Sequence, residues 1–265
     1  MSSTAWEKHS WSQIAEFDRD RTTIIIPTGA IEQHGPHLAI DTDIANADAI
    51  AHAVATTVST QKILVAPPVW WGTSPHHLGF PGTISLKNET FSKILFDTIS
   101  SIKPHGFYRF LIINGHGGNI GILTATVSSL NEELGISIPA ISYWQTITKT
   151  LIDVCESEIG GLGHACEMET SLALYLRPDE VDMSKAINDM PNPVTPWSCI
   201  DFRQPGFLNI PLDLKRDSKS GAIGNPLLAT KEKGEKIFSA AVNAISEAVD
   251  AMAHLTKREL TTSKY

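Results

Sequence analysis

Carboxylates and histidines are concentrated in the segment from Pro27 to Asp43, which directly follows an apolar run. Its acids and imidazoles are Glu32, His34, His37, Asp41 and Asp43. Because alternate residues of an extended backbone project to the same side, Glu32 and His34 can converge on neighbouring points. Carboxylates and imidazoles together suit Zn²⁺, Mn²⁺ or Fe²⁺, and a carboxylate can bridge two ions. The segment predicts metal binding; solvated side chains on a surface loop, or an Asp43 that only caps the next helix, are the alternatives.

A further histidine, His116, lies where an apolar strand runs into a glycine-rich turn, within Phe110–Asn119. Glycines at 115, 117 and 118 allow positive φ and a close approach of the backbone to a ligand or an ion. Glycine-rich loops also bind phosphate at helix N-termini. The segment, however, has neither Gly-x-Gly-x-x-Gly nor a Gly-Lys-Ser/Thr ending. The pattern therefore favours a metal ligand over a phosphate site, with a plain strand-to-helix turn as the structural alternative.

A third group of acids and imidazoles occurs in the segment from Gly163 to Ser171, at the start of a predicted helix. It contains His164, Glu167 and Glu169. Acidic residues in a first helical turn are favoured by the helix dipole, which is a sufficient structural reason for the two glutamates. A third histidine and glutamate cluster at an element boundary nevertheless strengthens the prediction that the three segments share one metal site.

The motifs in these segments resemble those of the creatininase (creatinine amidohydrolase) family. They are Gly-Ala-Ile-Glu-Gln-His-Gly-Pro-His at 29–37 with Asp43, Phe-Pro-Gly-Thr at 80–83, Asn-Gly-His-Gly-Gly-Asn at 114–119, and His164 to Ser171. The resemblance runs from about Trp11 to the C-terminal helix. It implies two divalent ions per subunit (Zn, Mn or Fe), with Glu32 and His116 on one ion, His34 on the other and Asp43 bridging both.

The chain departs from creatininase at one implied ligand. In creatininase the second ion also takes a glutamate two residues after the histidine of the Asn-Gly-His turn, where this sequence has Gly118. We expect Glu169 to supply the missing carboxylate, with Glu167 as its substitute or as a catalytic group. His164 matches the catalytic histidine that passes a proton to the leaving nitrogen, a task that suits an imidazole.

Substrate contacts are predicted at Ser74, His77, Gly117 and Trp144, of which Ser74 and Trp144 match substrate-contacting positions of creatininase. Gly160 replaces the tryptophan that closes over the ligand there. The resemblance implies hydrolysis of a carbon–nitrogen bond in a small amide, cyclic amide or formamide by metal-activated hydroxide, and these differences argue against creatinine itself. The alternatives are a metal-dependent sugar isomerase or ring-opening enzyme, and a nonhydrolytic ligand-binding relative.

The elements that would position these residues alternate along the chain. Apolar strands are predicted at about 22–27, 62–67, 108–114 and 138–143, with amphipathic helices between and after them. This order predicts a single α/β domain over 1–265, with a mostly parallel sheet flanked by helices on both faces. Ligands collect at the carboxyl ends of such strands. Residues 178–226 are predicted to form a proline-rich excursion over the site or against another subunit, and residues 256–265 to fray.

Composition restricts the partners. The chain has 265 residues and a formal net charge of −8, so a general surface for nucleic acid or anionic membranes is not expected, and a small-molecule substrate fits better. Three cysteines without a Cys-x-x-Cys pair predict neither a disulfide framework nor a zinc ribbon. The N-terminal segment lacks an apolar signal stretch, which predicts a cytoplasmic protein. The family resemblance also implies a homo-oligomer, most simply a hexamer.

Overall fold

A four-stranded parallel sheet lies at the centre of the computed structural model, which describes residues 3–193, 195, 197–204, 206–208 and 210–261. Its strands are β1 (Thr22–Thr28), β2 (Lys62–Val65), β3 (Phe110–Asn114) and β4 (Ala140–Ser142). They are arranged in the order β2-β1-β3-β4. β1 pairs with β2 from Thr22 opposite Lys62, and with β3 from Ile24 opposite Phe110. The predicted strands and the parallel sheet are confirmed.

Helices precede, connect and follow these strands, with α2, α3 and α4 in the three connections. They are α1 (Trp11–Glu16), α2 (Thr42–Thr57), α3 (Asn88–Ile102), α4 (Ile120–Leu134), α5 (Thr148–Val154), α6 (Glu167–Leu176), α7 (Leu214–Asp217), α8 (Lys231–Ala253) and α9 (Lys257–Leu260). The longest, α8, begins at Thr230, whose side chain accepts a hydrogen bond from the N–H of Lys233. α4 ends at Gly135, whose left-handed backbone (φ 65°) stops the helix as the sequence predicts.

Both faces of the sheet are buried, which explains why its strands are continuous apolar runs. Successive residues of β1 point to opposite sides. Ile25 joins a core with residues of α2 and α8, whereas Ile24 and Ile26 join a second core with residues of α3 and α4. The predicted covering of both faces by helices is thus confirmed. The two cores hold the central strands rigidly, so the loops at the strand ends have fixed starting points.

A small antiparallel ribbon, made of β5 (Leu162–His164) and β6 (Ile223–Gly224), lies apart from the main sheet. We did not predict it, because strands of three and two residues leave no periodic pattern in the sequence. Within 178–226 the described residues otherwise form short turns and α7, in agreement with the low periodicity of that segment. β6, near the C-terminal end of this segment, pairs with β5, which carries His164.

The chain beyond Thr256 differs from the prediction of a frayed tail. Thr256 and Glu259 form a reciprocal capping box at the start of α9, and Leu260 is buried. The carbonyl of Leu260 also accepts a hydrogen bond from Ser137 N–H at 2.9 Å. A short polar tail with one well-placed leucine and a cap therefore docks on the apolar core; residues 262–265 lie outside the described part. Among the described helices, none combines the length and the apolar character needed to cross a bilayer.

Candidate metal centre

The predicted ligands come together at the carboxyl edge of the sheet. β1 leads into the loop with Glu32 and His34, and β3 leads into the turn with His116. Asp43 lies in the first turn of α2 and Glu169 in the first turn of α6. All five side chains are buried, with residue exposures between 0% and 4%. Acids and imidazoles that would be solvated on a surface loop are instead gathered in the interior.

The turn after β3 is built to hold His116 against α2. Asn114 accepts a hydrogen bond from the N–H of His116 (3.1 Å) and donates one to its carbonyl (2.7 Å). A Cβ atom at Gly115 would lie 2.2 Å from the carbonyl oxygen of Asp43, so only glycine permits this approach. The Asn-Gly-His order therefore has a packing reason at each position.

Backbone carbonyls determine which ring nitrogen of each histidine carries a proton. Nδ1 of His34 lies 3.1 Å from the carbonyl oxygen of Glu32, and Nε2 of His116 lies 3.2 Å from that of Thr73. A carbonyl only accepts, so both of these nitrogens must donate. The opposite nitrogens, Nε2 of His34 and Nδ1 of His116, are left as ligand atoms. Metal-binding histidines are held in this way in proteins generally.

The two oxygens of Asp43 face different imidazoles. Oδ1 lies 3.0 Å from Nε2 of His34, and Oδ2 lies 2.9 Å from Nδ1 of His116. Asp43 therefore does more than begin a helix, since its side chain points into the cluster. If both rings were neutral, lone pairs would oppose each other at these distances. A cation, either a second proton on each ring or a metal ion, has to lie between each pair.

The donor set fits divalent ions. Neighbouring ligand atoms on an ion bound at about 2.1 Å are separated by about 3 to 4 Å. Nδ1 of His116 lies 3.3 Å from Oε1 of Glu32, and Nε2 of His34 lies 4.0 Å from Oε1 of Glu169. The other oxygen of Glu32, Oε2, is buried without a hydrogen-bond partner among the described residues. A buried carboxylate oxygen left in this state is explained by an ion.

Without a metal ion, side chains of the cluster hold protons, because the pKa values of several of them are raised. Burial alone would lower the pKa of His34, but the neighbouring Asp43 carboxylate outweighs it and raises the pKa to about 10. Burial likewise opposes the charge on His116, yet Glu32 and Asp43 raise its pKa well above the usual value. Burial raises the pKa of Glu169 to about 7 despite the attraction of His34. Ions that bind here must displace these protons.

His164, at the end of β5, lies beside this group and is held as a neutral ring. Its Nε2 is 2.7 Å from the backbone oxygen of Gln33, and its Nδ1 is 3.6 Å from Oε1 of Glu32. Burial, followed by the charge on His34, lowers the pKa of His164 well below its usual value. His77 is also buried, with Nε2 at 3.2 Å from Oε1 of Glu32, and burial lowers its pKa strongly. These two rings border the cluster as neutral groups.

The predicted site residue Glu167 faces partners outside the cluster. Both oxygens of Glu167 accept hydrogen bonds outside the cluster, from Lys233, Ser157 and the N–H of Glu156. Its proposed role as a substitute ligand or catalytic group is therefore not supported by the geometry: the carboxylate is already used in a buried ion pair. Of the two first-turn glutamates of α6, only Glu169 points toward His34.

Ser74 and Trp144 are placed behind the cluster. Ser74 is fully buried, and its hydroxyl contacts Nε2 of His116 at 3.1 Å, so it orients that ring. Trp144 is 4% exposed and packs against Tyr143 and Phe202, each with ring centroids 5.1 Å away. Both were expected to contact substrate, and this role stays a prediction, because the candidate metal ligands are equally buried. Gly117, the other predicted contact, is exposed, with open space where a side chain would be.

Two neighbours of the cluster were missed in the sequence. Gln33 lies between two ligand residues, and its amide reaches both His77 and His164. His76 is partly exposed and stacks on His116 with ring centroids 5.7 Å apart. It approaches Gly118, where a Cβ atom would lie 2.9 Å from its ring and 2.5 Å from the carbonyl of Thr73. Adjacency to predicted site residues was the only available signal for either one.

Comparisons with known proteins agree with this fold and with the family resemblance. The family model described as creatininase, creatinine amidohydrolase, matches residues 7–249. A mycofactocin precursor peptide peptidase of Mycobacterium tuberculosis (strain CDC 1551 / Oshkosh) is 34% identical over 230 residues, which cover 83% of this chain and 82% of the relative. Creatinine amidohydrolase of Pseudomonas putida is 28% identical over 241 residues, which cover 85% and 88%.

Solved structures give the same result. A crystal structure of creatinine amidohydrolase aligns with a TM-score of 0.83 at 26% identity, over 97% of this chain and all of the other. Similar structures include a zinc–zinc form and a manganese form of creatininase. The creatinine amidohydrolases and the peptidase among these relatives are hydrolases of carbon–nitrogen bonds. The chain belongs to the creatininase family.

Proposed function

We propose that this protein is an amidohydrolase that works with two divalent ions. The carrying observation is that the two oxygens of Asp43 face two different imidazoles at 3.0 and 2.9 Å. One ion would be held by Glu32, His116 and Asp43, and the second by His34, Glu169 and Asp43. Ions held there would lower the pKa of water toward neutrality and polarise the scissile carbonyl. Zinc, manganese and iron all suit this donor set.

The residues of the chain supply orientation and proton transfer. The carbonyls of Glu32 and Thr73 fix the rings of His34 and His116, so the ligand atoms are aimed before anything binds. His164 holds its proton on Nε2, because that atom donates to the oxygen of Gln33. Its Nδ1 is therefore free to take a proton on the cluster side and to return it to the leaving nitrogen. A neutral imidazole in this position suits general base and acid catalysis.

The substrate is an amide other than creatinine. The tryptophan expected to close over creatinine is replaced by Gly160, and the nearest heavy atom to a Cβ there is the sulfur of Cys199 at 3.8 Å. Trp144 is buried and packs against the rings of Tyr143 and Phe202. Since Gly117 leaves open space beside His116, the site accepts a larger or differently shaped group on its open side.

The test combines metal analysis with an amide panel on the purified protein. We expect about two ions per chain and hydrolysis of one class among formamides, lactams, cyclic amides and short peptides, with creatinine a poor substrate. Asp43→Asn should lose metal and turnover together. Asp41→Asn is the matched control, because Asp41 lies two residues away and pairs with Arg177 at 2.8 Å. Full metal content in Asp43→Asn would contradict the bridging assignment.

The alternatives have distinct outcomes in the same experiment. An isomerase would convert its substrate without incorporating ¹⁸O from labelled water, whereas a hydrolase incorporates one atom per turnover. A nonhydrolytic relative would bind metal and an amide but release it unchanged. The family resemblance also predicts a homo-oligomer, most simply a hexamer, and light scattering on the same sample measures its mass.

A further inference from the structure

The side chain of Gln33 lies where the ligand loop, His77, His164 and the segment before β6 meet. Its orientation is unambiguous. Oε1 accepts a hydrogen bond from the N–H of Gly35 at 2.9 Å, and Nε2 lies 2.7 Å from the carbonyl oxygen of Gly221. Exchanging the two amide atoms would place oxygen against oxygen and nitrogen against N–H. The amide group therefore has one hydrogen on Gly221 and one hydrogen left to donate.

Among the described residues, that second hydrogen has one possible acceptor. Nε2 of His164 is 2.7 Å from the backbone oxygen of Gln33, so it carries a proton and cannot also accept from the side chain 3.1 Å away. Nδ1 of His77 lies 2.8 Å from the amide nitrogen and is free to accept. His77 must then carry its proton on Nε2, which lies 3.2 Å from Oε1 of Glu32.

We propose that Gln33 is a positioning residue, whose side-chain amide and backbone carbonyl hold His77 and His164 as the Nε2–H tautomers. His77 then places its Nε2–H 3.2 Å from Oε1 of Glu32, whereas Oε2 has no hydrogen-bond partner among the described residues. His164 presents an unprotonated Nδ1 to the cluster. The kinetic consequences rest on the proposed hydrolase function, whereas the tautomers are a property of the protein alone and are measured without substrate.

The segment before β6 packs against the side-chain amide of Gln33. Gly221 has a left-handed backbone (φ +85°), and a Cβ atom there would lie 2.1 Å from Oε1 of Gln33. The loop that carries it is fastened by Asp189. Oδ2 of Asp189 accepts hydrogen bonds from the hydroxyls of Ser218 and Ser220 and from the N–H groups of Lys219 and Ser220, all between 2.8 and 2.9 Å. Through the carbonyl of Gly221, the segment 178–226 contacts the side chain of Gln33.

The experiment is ¹⁵N NMR of the histidine side chains, which distinguishes the two tautomers from the pattern of proton couplings. Among the ten histidines, the signals of these two rings are assigned by their loss in His77→Asn and His164→Asn variants. In zinc-loaded wild type we expect both rings as Nε2–H. In Gln33→Glu the new carboxylate can only accept, so Nδ1 of His77 should gain a proton while His164 keeps its pattern. Turnover should fall about 10- to 100-fold with metal content retained.

Gly221→Ala tests the same contact from the other side, and Gly106→Ala is its matched control. Gly106 has a similar backbone (φ +94°), and a Cβ atom there meets only the flexible Arg19 side chain at 3.3 Å. Gly221→Ala should disturb the His77 tautomer and lower turnover, whereas Gly106→Ala should change neither. The proposal is overturned if His77 carries a proton on Nδ1 in wild type, or if Gln33→Glu and Gly221→Ala leave its pattern unchanged. If no amide is hydrolysed, the proposed hydrolase function fails, but the spectra still decide the tautomers of His77 and His164. The two proposals can therefore fail separately.

Discussion

Glu167 and Glu169 offer a matched test of the metal centre, because both are buried in the first turn of α6 and only one faces the cluster. Replacing Glu169 with Gln keeps its shape and removes a charged ligand of the second ion. We expect metal content to fall from two ions to one per chain and turnover to fall more than about 100-fold. Replacing Glu167 with Gln should leave both ions in place, because its partners are Lys233 and Ser157.

The two variants should have opposite effects on stability. Glu167→Gln breaks a buried ion pair, but Lys233 keeps Glu156 and the carbonyl of Leu228 at 2.9 and 2.8 Å. The cost is therefore at the lower end for such pairs, about 2 to 3 kcal/mol, or a fall in Tm of about 4 to 12 °C. In metal-free protein the pKa of Glu169 is raised to about 7, so its ionised form destabilises the fold as pH rises from about 4.3 toward 7. Glu169→Gln removes this cost.

The assays are elemental analysis, turnover on the active amide, and thermal unfolding at pH 8 with and without chelator. We expect Glu169→Gln to lose an ion without losing metal-free stability. We expect Glu167→Gln to lose stability without losing an ion. If Glu167→Gln lost an ion while Glu169→Gln kept both, the assignment of Glu169 would be wrong and the hydrogen bonds of Glu167 would have to rearrange on metal binding.

Three further predictions concern other parts of the molecule. His164→Ala should retain both ions and lower turnover by about 10² to 10⁴, measured by metal analysis beside kinetics; loss of metal would make it a ligand instead. Gly115→Ala places a Cβ atom 2.2 Å from the carbonyl of Asp43 and should destabilise the fold by at least about 1 to 3 kcal/mol and weaken metal binding, whereas Gly121→Ala, with nothing within 4 Å, should be neutral or stabilising by urea unfolding. Burial alone would raise the pKa of Asp201, but hydrogen bonds from Arg203 outweigh it and lower the pKa. The stability it contributes is present above about pH 4 and is lost progressively at lower pH, so wild type and Asp201→Asn should differ in urea midpoint at pH 7, and the difference should shrink as the pH falls below about 4.

The sequence was sufficient for the sheet because its strands are buried on both faces and therefore read as continuous apolar runs. It was also sufficient to select Glu32, His34, Asp43 and His116, since each adjoins the end or start of a long element whose position the parallel topology fixes. For these residues local pattern and global fold give the same answer. The long helices α3, α4 and α8 were predictable for the same reason.

Other features depended on contacts between distant segments. Choosing between Glu167 and Glu169 as the ligand requires knowing where each side chain points. Glu167 points away from the cluster toward Lys233, which lies far along the chain in α8. The ribbon of β5 and β6 is too short to show periodicity. Ser74 and Trp144 matched positions of a family pattern, but burial depends on what packs over them. Such information is absent from any one stretch of residues.

The cluster draws its members from three separated parts of the chain: the loop after β1 with the adjoining start of α2, the turn after β3, and the start of α6. Two cations held by Glu32, Asp43, His116, His34 and Glu169 would thus act as removable crosslinks between the two halves of the polypeptide. Because the unfolded chain cannot gather these groups, each tenfold excess of free metal over its dissociation constant would add about 1.4 kcal/mol to the folded state. Supply of metal would then govern how long the protein survives as well as how fast it works.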